Sequence, residues 1–348
     1  MKIPFFRPQL PNKKEVIKNL AQIYKSKWVS NFGPFCEKFE EKAKEITGAK
    51  YVFGVTSADI GLMIALRVLR QIHKDRLHVA VPSFTFASTV NIVRWNECNI
   101  YLLDINKDTL CIDSVPTFVD VIIPVHTFGN LIKYKDLGVA SHQFVIWDAA
   151  HAFGVSGNQK DIQVFSFSGT KLVTSGEGGI ITTNDADIAE AIQLARGYGF
   201  KNDYNVKFNG INGKISEFNA LMGYLSCDLL ESALARRQEI VNIYKETLGD
   251  SFKYQKVPYK SAYKDFIVMF DKPIVEDIAK RMLANEIETK RYFFPVHMMN
   301  AYKDLDNGKL ENTEWVYDHS LCLPMYNEMK NKDIVIVAKT FKKLYDNI

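Results

Sequence analysis

Lys171 closes the run Val164-Phe165-Ser166-Phe167-Ser168-Gly169-Thr170-Lys171, which reads as a buried strand breaking into a tight loop. Twenty-three residues earlier, the apolar run Phe144-Val145-Ile146-Trp147 ends in Asp148-Ala149-Ala150-His151. An amine and a carboxylate delivered at two strand ends are the two protein groups that pyridoxal phosphate requires. The amine forms a Schiff base with the aldehyde, and the carboxylate keeps the pyridine nitrogen protonated so that the ring can accept electrons. Each residue also has an ordinary reading: a lysine after Gly-Thr can end a turn, and an aspartate after a strand can cap a helix. The neighbours weigh against it. Ser166 and Thr170 bring hydroxyls that can reach a phosphate while the lysine reaches the aldehyde, and Ser175-Gly176-Glu177-Gly178-Gly179 lets backbone approach a ligand or a second subunit closely. Ala149 and Ala150 leave room for a flat ring. His151 stays open between a neutral core histidine and a group that bonds the phenolic oxygen or lies over the ring edge.

Two further segments suit such a ligand. Thr56-Ser57-Ala58-Asp59 precedes an apolar pattern at helical spacing over 60–72, and a helix N-terminus binds phosphate through unpaired N–H groups and its dipole. The Asp59 carboxylate must then point away, leaving Ser57 and the amides of Ala58 and Asp59 to serve. Pro82-Ser83-Phe84-Thr85-Phe86-Ala87-Ser88-Thr89 follows another strand pattern and offers a phenylalanine to stack on the ring face.

The elements that must position these groups are legible between residues 48 and 185. Strands are expected over 51–55, 78–82, 100–104, 118–124, 144–148, 162–167 and 179–183, alternating with helical patterns, which predicts an α/β fold with a mostly parallel seven-stranded sheet. Ligands of such sheets collect where the strands end. Helices are expected over 15–25, 36–46, 188–196 and, as a bent pair, 215–248. The remainder reads as a small α+β unit with a strand at 266–270, two amphipathic helices and an irregular stretch around 297–325. We expect a large domain over 1–235, with an N-terminal substrate-side segment, and a small C-terminal domain over 236–348.

Composition bounds the function. The 348 residues are 47% hydrophobic and carry a net charge of +4 spread along the chain, without the basic block that a nucleic-acid groove needs. No window is long and apolar enough to span a membrane. The cysteines Cys36, Cys98, Cys111, Cys227 and Cys322 are scattered, with no C-x-x-C pair or metal-ligand spacing. A cytoplasmic protein without a metal is expected.

The chain resembles the DegT/StrS family of pyridoxal-phosphate-dependent sugar aminotransferases, of aspartate aminotransferase fold type I. The likeness is carried in order by Ser26-Lys27-Trp28-Val29-Ser30-Asn31-Phe32-Gly33-Pro34, Pro82 to Thr89, Pro124-Val125-His126-Thr127-Phe128-Gly129 and Asp148 to Gly154. It continues through Phe165 to Lys171, Gly176 to Gly179, Gly210-Ile211-Asn212-Gly213-Lys214-Ile215-Ser216-Glu217, Arg291 to His297 and Cys322-Leu323-Pro324-Met325-Tyr326. The resemblance implies that Lys171 carries the cofactor and shuttles a proton, that Asp148 pairs with the pyridinium, and that His151 lies near the ring. It further implies Phe86 rather than Phe84 as the stacking aromatic, Ser166 on the phosphate, and Asn212 reaching the phosphate of a neighbouring subunit, hence a homodimer. Ser30, Phe32 and His297 fall on the substrate side.

Three departures stand out. Ser57-Ala58 replaces the usual Gly-Thr, Ser168-Gly169 replaces His-Ala or a similar pair, and the segment 154–161 is shorter, so its hairpin is expected to be tight. The implied reaction moves the amino group of L-glutamate to a nucleotide-diphosphate keto-sugar in deoxysugar and O-antigen synthesis. The wording of the motifs is nearest to members acting on dTDP-4-keto-6-deoxyglucose to give the 4-amino-4,6-dideoxy sugar. Amination at C3 of a dTDP-3-keto-6-deoxyhexose is the alternative. A dehydratase branch carries histidine in place of the lysine, and Lys171 argues against it. A silent sugar-nucleotide binding protein is the remaining rival.

Overall fold

The computed structural model describes residues 2–73, 77–157, 161–201, 203–305 and 308–348. In chain order the elements are α1 (Lys13–Ser26), α2 (Pro34–Thr47), β1 (Tyr51–Val55), α3 (Ala58–His73), β2 (His78–Pro82), α4 (Ala87–Trp95), β3 (Asn99–Leu103), β4 (Val121–Ile122), β5 (Phe144–Asp148), β6 (Ile162–Ser166), β7 (Gly179–Thr183) and α5 (Ala186–Arg196). There follow α6 (Glu217–Cys227), α7 (Leu230–Leu248), β8 (Lys253–Tyr254), β9 (Phe266–Met269), α8 (Val275–Ala284), α9 (Glu311–Asp318), β10 (Ser320–Leu323) and α10 (Asn331–Asp346).

The first seven strands form one sheet in the order β1-β7-β6-β5-β4-β2-β3. β7 runs antiparallel to both neighbours and all other pairs are parallel. Strands buried on both faces need apolar residues at every position, which is why these runs do not alternate with polar residues. Along β6, Val164 enters the layer under α3, α4 and α5, while Phe165 enters the layer shared with α2 and α6. β8, β9 and β10 form a second, antiparallel sheet covered by α8 and α10. α7 joins the two parts. Its Leu230 and Ala233 pack in the α2/α6 layer, and its Ile240, Val241, Tyr244 and Leu248 pack in the C-terminal core.

Several boundaries differ from the sequence reading for local reasons. The fourth strand shrinks from 118–124 to Val121–Ile122. Pro124 has no N–H for a ladder, and the Asp120 carboxylate takes the His78 N–H at 2.7 Å. The stretch expected to be irregular at 297–325 contains α9 and β10, so the described residues of the C-terminal part carry three α-helices rather than two. The α9 N-terminus is capped from 208 residues away, because the Asp104 carboxylate at the end of β3 accepts the Asn312 and Thr313 N–H groups at 2.9 and 2.8 Å. The hairpin expected to be tight over 154–161 includes residues 158–160, which lie outside the described residues. All five cysteines are buried, and none is in a disulfide. No helix among the described residues is long and apolar enough to cross a membrane.

Candidate active site

β5 and β6 end side by side, with Asp148 paired to Val164 across the ladder, so the loops leaving them open on the same sheet edge. The Asp148 backbone is pinned on both sides: its N–H donates to Pro124 O at 2.9 Å, and its C=O accepts from the His126 N–H at 3.1 Å. The residue is 5% exposed, and its carboxylate accepts from Thr89 Oγ1 at 2.8 Å and from the Ala150 N–H at 3.1 Å. Burial nonetheless raises its pKa above the ordinary aspartate value, against the pull of those two donors and of Lys171.

Beyond β6, the Lys171 N–H closes a turn on Ser168 O at 3.0 Å, and its side chain lines the cavity. Burial and then the nearby Lys264 ammonium lower the Lys171 amine from 10.5 to about 8. A lysine shifted in this direction has its neutral, nucleophilic form within reach near neutral pH.

These groups share a cavity of about 380 Å³, within the range of small-molecule sites. Of the residues expected at a site, the cavity brings together Ser57, Ala58, Asp59, Phe86, Asp148, His151, Ser166 and Lys171. α3 opens at Ala58, where the first helical N–H groups have no intrahelical acceptor. Gly179 of β7 allows that helix end to come close, since a Cβ there would lie 2.7 Å from the Ala58 nitrogen. Phe86 is 61% exposed at the cavity, whereas Phe84 is fully buried against Phe128 and Phe293. His151 lies parallel to Phe128 and Phe293, and burial holds its imidazole neutral. By contrast His126, named in one of the motifs, is a core residue stacked on Trp147, with its pKa lowered to about 3.

Ser30, Phe32, Asn212 and His297 do not line this cavity. Ser30 and Phe32 belong to a loop held at α6, where the Glu217 N–H donates to Val29 O at 3.0 Å and the Glu217 carboxylate caps α2 through the Phe35 and Cys36 N–H groups at 2.8 and 2.9 Å. Phe32 lies under the Arg196 guanidinium at 4.5 Å. Asn212 is exposed and accepts from Lys214 Nζ at 2.7 Å. Expected on the substrate side, His297 has both ring nitrogens engaged within its own chain, with Ser83 Oγ at 2.7 Å and Glu314 Oε1 at 3.2 Å.

The sequence reading missed Thr89, Lys264, Lys290 and Tyr292, all of which line the cavity. For Lys264 a signal existed. Lys264-Asp265 abuts the apolar run Phe266-Ile267-Val268-Met269 with no turn residue between them, and a charged pair entering a buried strand needs an internal reason.

The residues suit pyridoxal phosphate on two observations. His151 Nδ1 is buried without a hydrogen-bond partner among the described residues, and the Asp148 carboxyl faces the cavity with burial working against its charge. A protonated ring nitrogen and a phenolic oxygen would satisfy both.

A lysine and an aspartate at adjacent strand ends of this sheet, facing one helix N-terminus, define a pyridoxal-phosphate-dependent enzyme of fold type I. The chain is 28% identical to the dTDP-4-amino-4,6-dideoxy-D-glucose transaminase of Escherichia coli over 97% of each protein. It is 25% identical to the GDP-perosamine synthase of Escherichia coli O157:H7 over 99% of each. Among solved structures, DesI with its TDP-sugar product superposes with a TM-score of 0.90 at 26% identity, covering 99% of this chain and 95% of DesI. The family model of the DegT/DnrJ/EryC1/StrS aminotransferases matches residues 11–342, and the chain belongs to that family of pyridoxal-phosphate-dependent sugar aminotransferases.

Proposed function

We infer that the protein transfers the amino group of L-glutamate to C4 of dTDP-4-keto-6-deoxyglucose, giving 2-oxoglutarate and dTDP-4-amino-4,6-dideoxyglucose. The observation that carries the reading is the shared cavity of Lys171 and Asp148 in a chain aligned end to end with a dTDP-4-amino-4,6-dideoxy-D-glucose transaminase. A guanosine-linked sugar is the second reading, supported by the likeness to a GDP-perosamine synthase. Amination at C3 remains the alternative at the sugar ring. A cytoplasmic enzyme fits five cysteines without a disulfide, and a homodimer sharing its sites fits the exposed Asn212.

Pyridoxal phosphate, when bound, supplies an aldehyde that captures amines and a ring that draws electrons from the carbon losing its proton. The residues of the chain do the rest. Lys171 Nζ would hold the aldehyde, and as an amine it would take the proton from the donor α-carbon and, in the second half-reaction, deliver a proton to the sugar carbon that gains nitrogen. Asp148, fixed by Thr89 and Ala150, keeps the ring nitrogen protonated. Neutral His151 offers Nδ1 to the phenolic oxygen. Ser57, the amides of Ala58 and Asp59, and Ser166 take the phosphate, and Phe86 covers the ring. Ser30, Phe32 and Asn212 act across the subunit interface in this reading. His297 needs one of its two internal bonds to open before it can touch a sugar. The division at 235/236 falls within α7, between the residues that pack in its two different cores, which supports it.

The test is optical and stoichiometric. Purified protein with cofactor should be yellow, glutamate should bleach it with release of one 2-oxoglutarate, and the 4-keto nucleotide sugar should restore the colour faster than a 3-keto isomer. Sugar consumed without 2-oxoglutarate would indicate a dehydratase, and a colourless protein that never binds the aldehyde would indicate a silent binder.

A further inference from the structure

The charges lining the cavity are segregated by where they come from in the chain. The carboxylates Asp59, Asp148 and Glu177 are all delivered by the N-terminal part, with Lys171 among them. Among the described residues the C-terminal part contributes four lining residues, Lys264, Lys290, Tyr292 and Phe293, which include two ammonium groups and no carboxylate. Both ammonium groups approach one aromatic ring, Lys264 Nζ at 5.2 Å and Lys290 Nζ at 4.7 Å from the Tyr292 centroid. The Lys264 side chain is 6% exposed, and its Nζ pairs with Asp265 Oδ2 at 2.8 Å. Asp265 is itself buried and does not line the cavity. Lys290 is exposed at the mouth and has no carboxylate at ion-pair distance among the described residues.

A buried lysine costs desolvation free energy, and a carboxylate directed away from the cavity stabilises its charged form without filling the space in front of it. The cofactor reading consumes Lys171, Asp148 and the α3 N-terminus and leaves this wall unused. We propose that Lys264 and Lys290, set about Tyr292, form an oxyanion site in this cavity that receives the acidic group of the incoming substrate. Two sources share that chemistry, a carboxylate of a dicarboxylic amino donor and the diphosphate of the nucleotide sugar. The inference rests on the aminotransferase reading and goes beyond it by naming the residues that bind substrate charge. The buried member of the pair also adds to the effect of burial in lowering the Lys171 amine, since the Lys264 ammonium opposes a second positive charge nearby.

The test uses the cofactor-loaded protein, so that the phosphate end is filled, and two unreactive probes at fixed ionic strength, glutarate and inorganic pyrophosphate. Calorimetric titration of wild type, Lys290→Met and Lys290→Arg measures binding apart from turnover. Loss of one charge-assisted hydrogen bond should weaken the bound probe about tenfold in Lys290→Met, and Lys290→Arg should retain most of the affinity. Weakening of glutarate alone supports the donor carboxylate as the ligand, and weakening of pyrophosphate alone supports the diphosphate. The matching half-reaction should then show a raised KM for glutamate or for the keto-sugar, with kcat little changed. Lys264→Gln should act in the same direction. If that variant does not fold, Lys290→Met decides alone. Unchanged affinity for both probes in Lys290→Met overturns the proposal. A wild-type holoenzyme that no amino donor bleaches would overturn the aminotransferase reading instead, so the two failures are distinguishable.

Discussion

Lys171 and Asp148 are both held against their ordinary titration, in opposite directions. For Lys171 the consequence can be measured without substrate. Its folded value of about 8 lies below the unfolded value of 10.5, so the folded state disfavours the ammonium. Below pH 8 that cost is fully present, and it is relieved as pH rises from about 8 to about 10.5, where the unfolded chain binds more protons. In the cofactor-free protein, wild type should therefore gain stability relative to Lys171→Met across that window. The gain should be about 3 kcal/mol at most, less whatever solvent at the cavity mouth screens, read from urea midpoints at successive pH values. A flat difference would mean that the amine is solvated. Both residues were legible in the sequence because each ends an apolar run in a short, glycine- or alanine-rich break. Thr89 was in a recognised segment yet went unassigned, since nothing local tells that its hydroxyl faces a carboxylate 59 positions away.

At the level of elements, the phosphate end depends on how closely α3 meets β7. Gly179→Ala would put a methyl group 2.7 Å from the Ala58 nitrogen and the Ser57 carbonyl carbon, a contact that backbone must move to relieve. Cofactor affinity should fall about tenfold or more while far-ultraviolet circular dichroism stays unchanged, because the donors shift away from the phosphate and the helix itself survives. Equal affinity in the variant would place the phosphate elsewhere. Glu217 acts through a different element. Its carboxylate caps α2, and Glu217→Ala would orphan the Phe35 and Cys36 N–H groups, costing about 2 kcal/mol or more in urea unfolding. The strands β1, β2, β5 and β7 were readable to the residue because each is a continuous buried run bounded by breakers. β4 and α9 were not, because their limits are set by Pro124 and by the Asp104 carboxylate reaching α9 from β3, and local periodicity carries no trace of a distant cap.

At the level of the whole molecule, Ser30, Phe32 and Asn212 stand off the cavity of their own chain, as residues serving a second copy would. Mixing Lys171→Ala chains with Asn212→Ala chains should then restore activity that neither variant has alone, since one of the two shared sites in a mixed dimer keeps both residues. Failure to complement, or a monomer by sedimentation, would remove the shared-site reading. The sequence could not settle this, because contacts between copies leave no periodic pattern in one chain. The buried thiols bear on how such an experiment can be done. Burial pushes Cys111 up to about 11 and Cys227 up to about 12, it raises Cys36 and Cys322 as well, and Cys98 is also buried, so all five sulfurs are shielded from alkylating reagents. A cysteine introduced at an exposed position such as Ser232 would therefore take a spin label or fluorophore selectively in the otherwise native chain, and the separation between two such probes would report directly on pairing in solution.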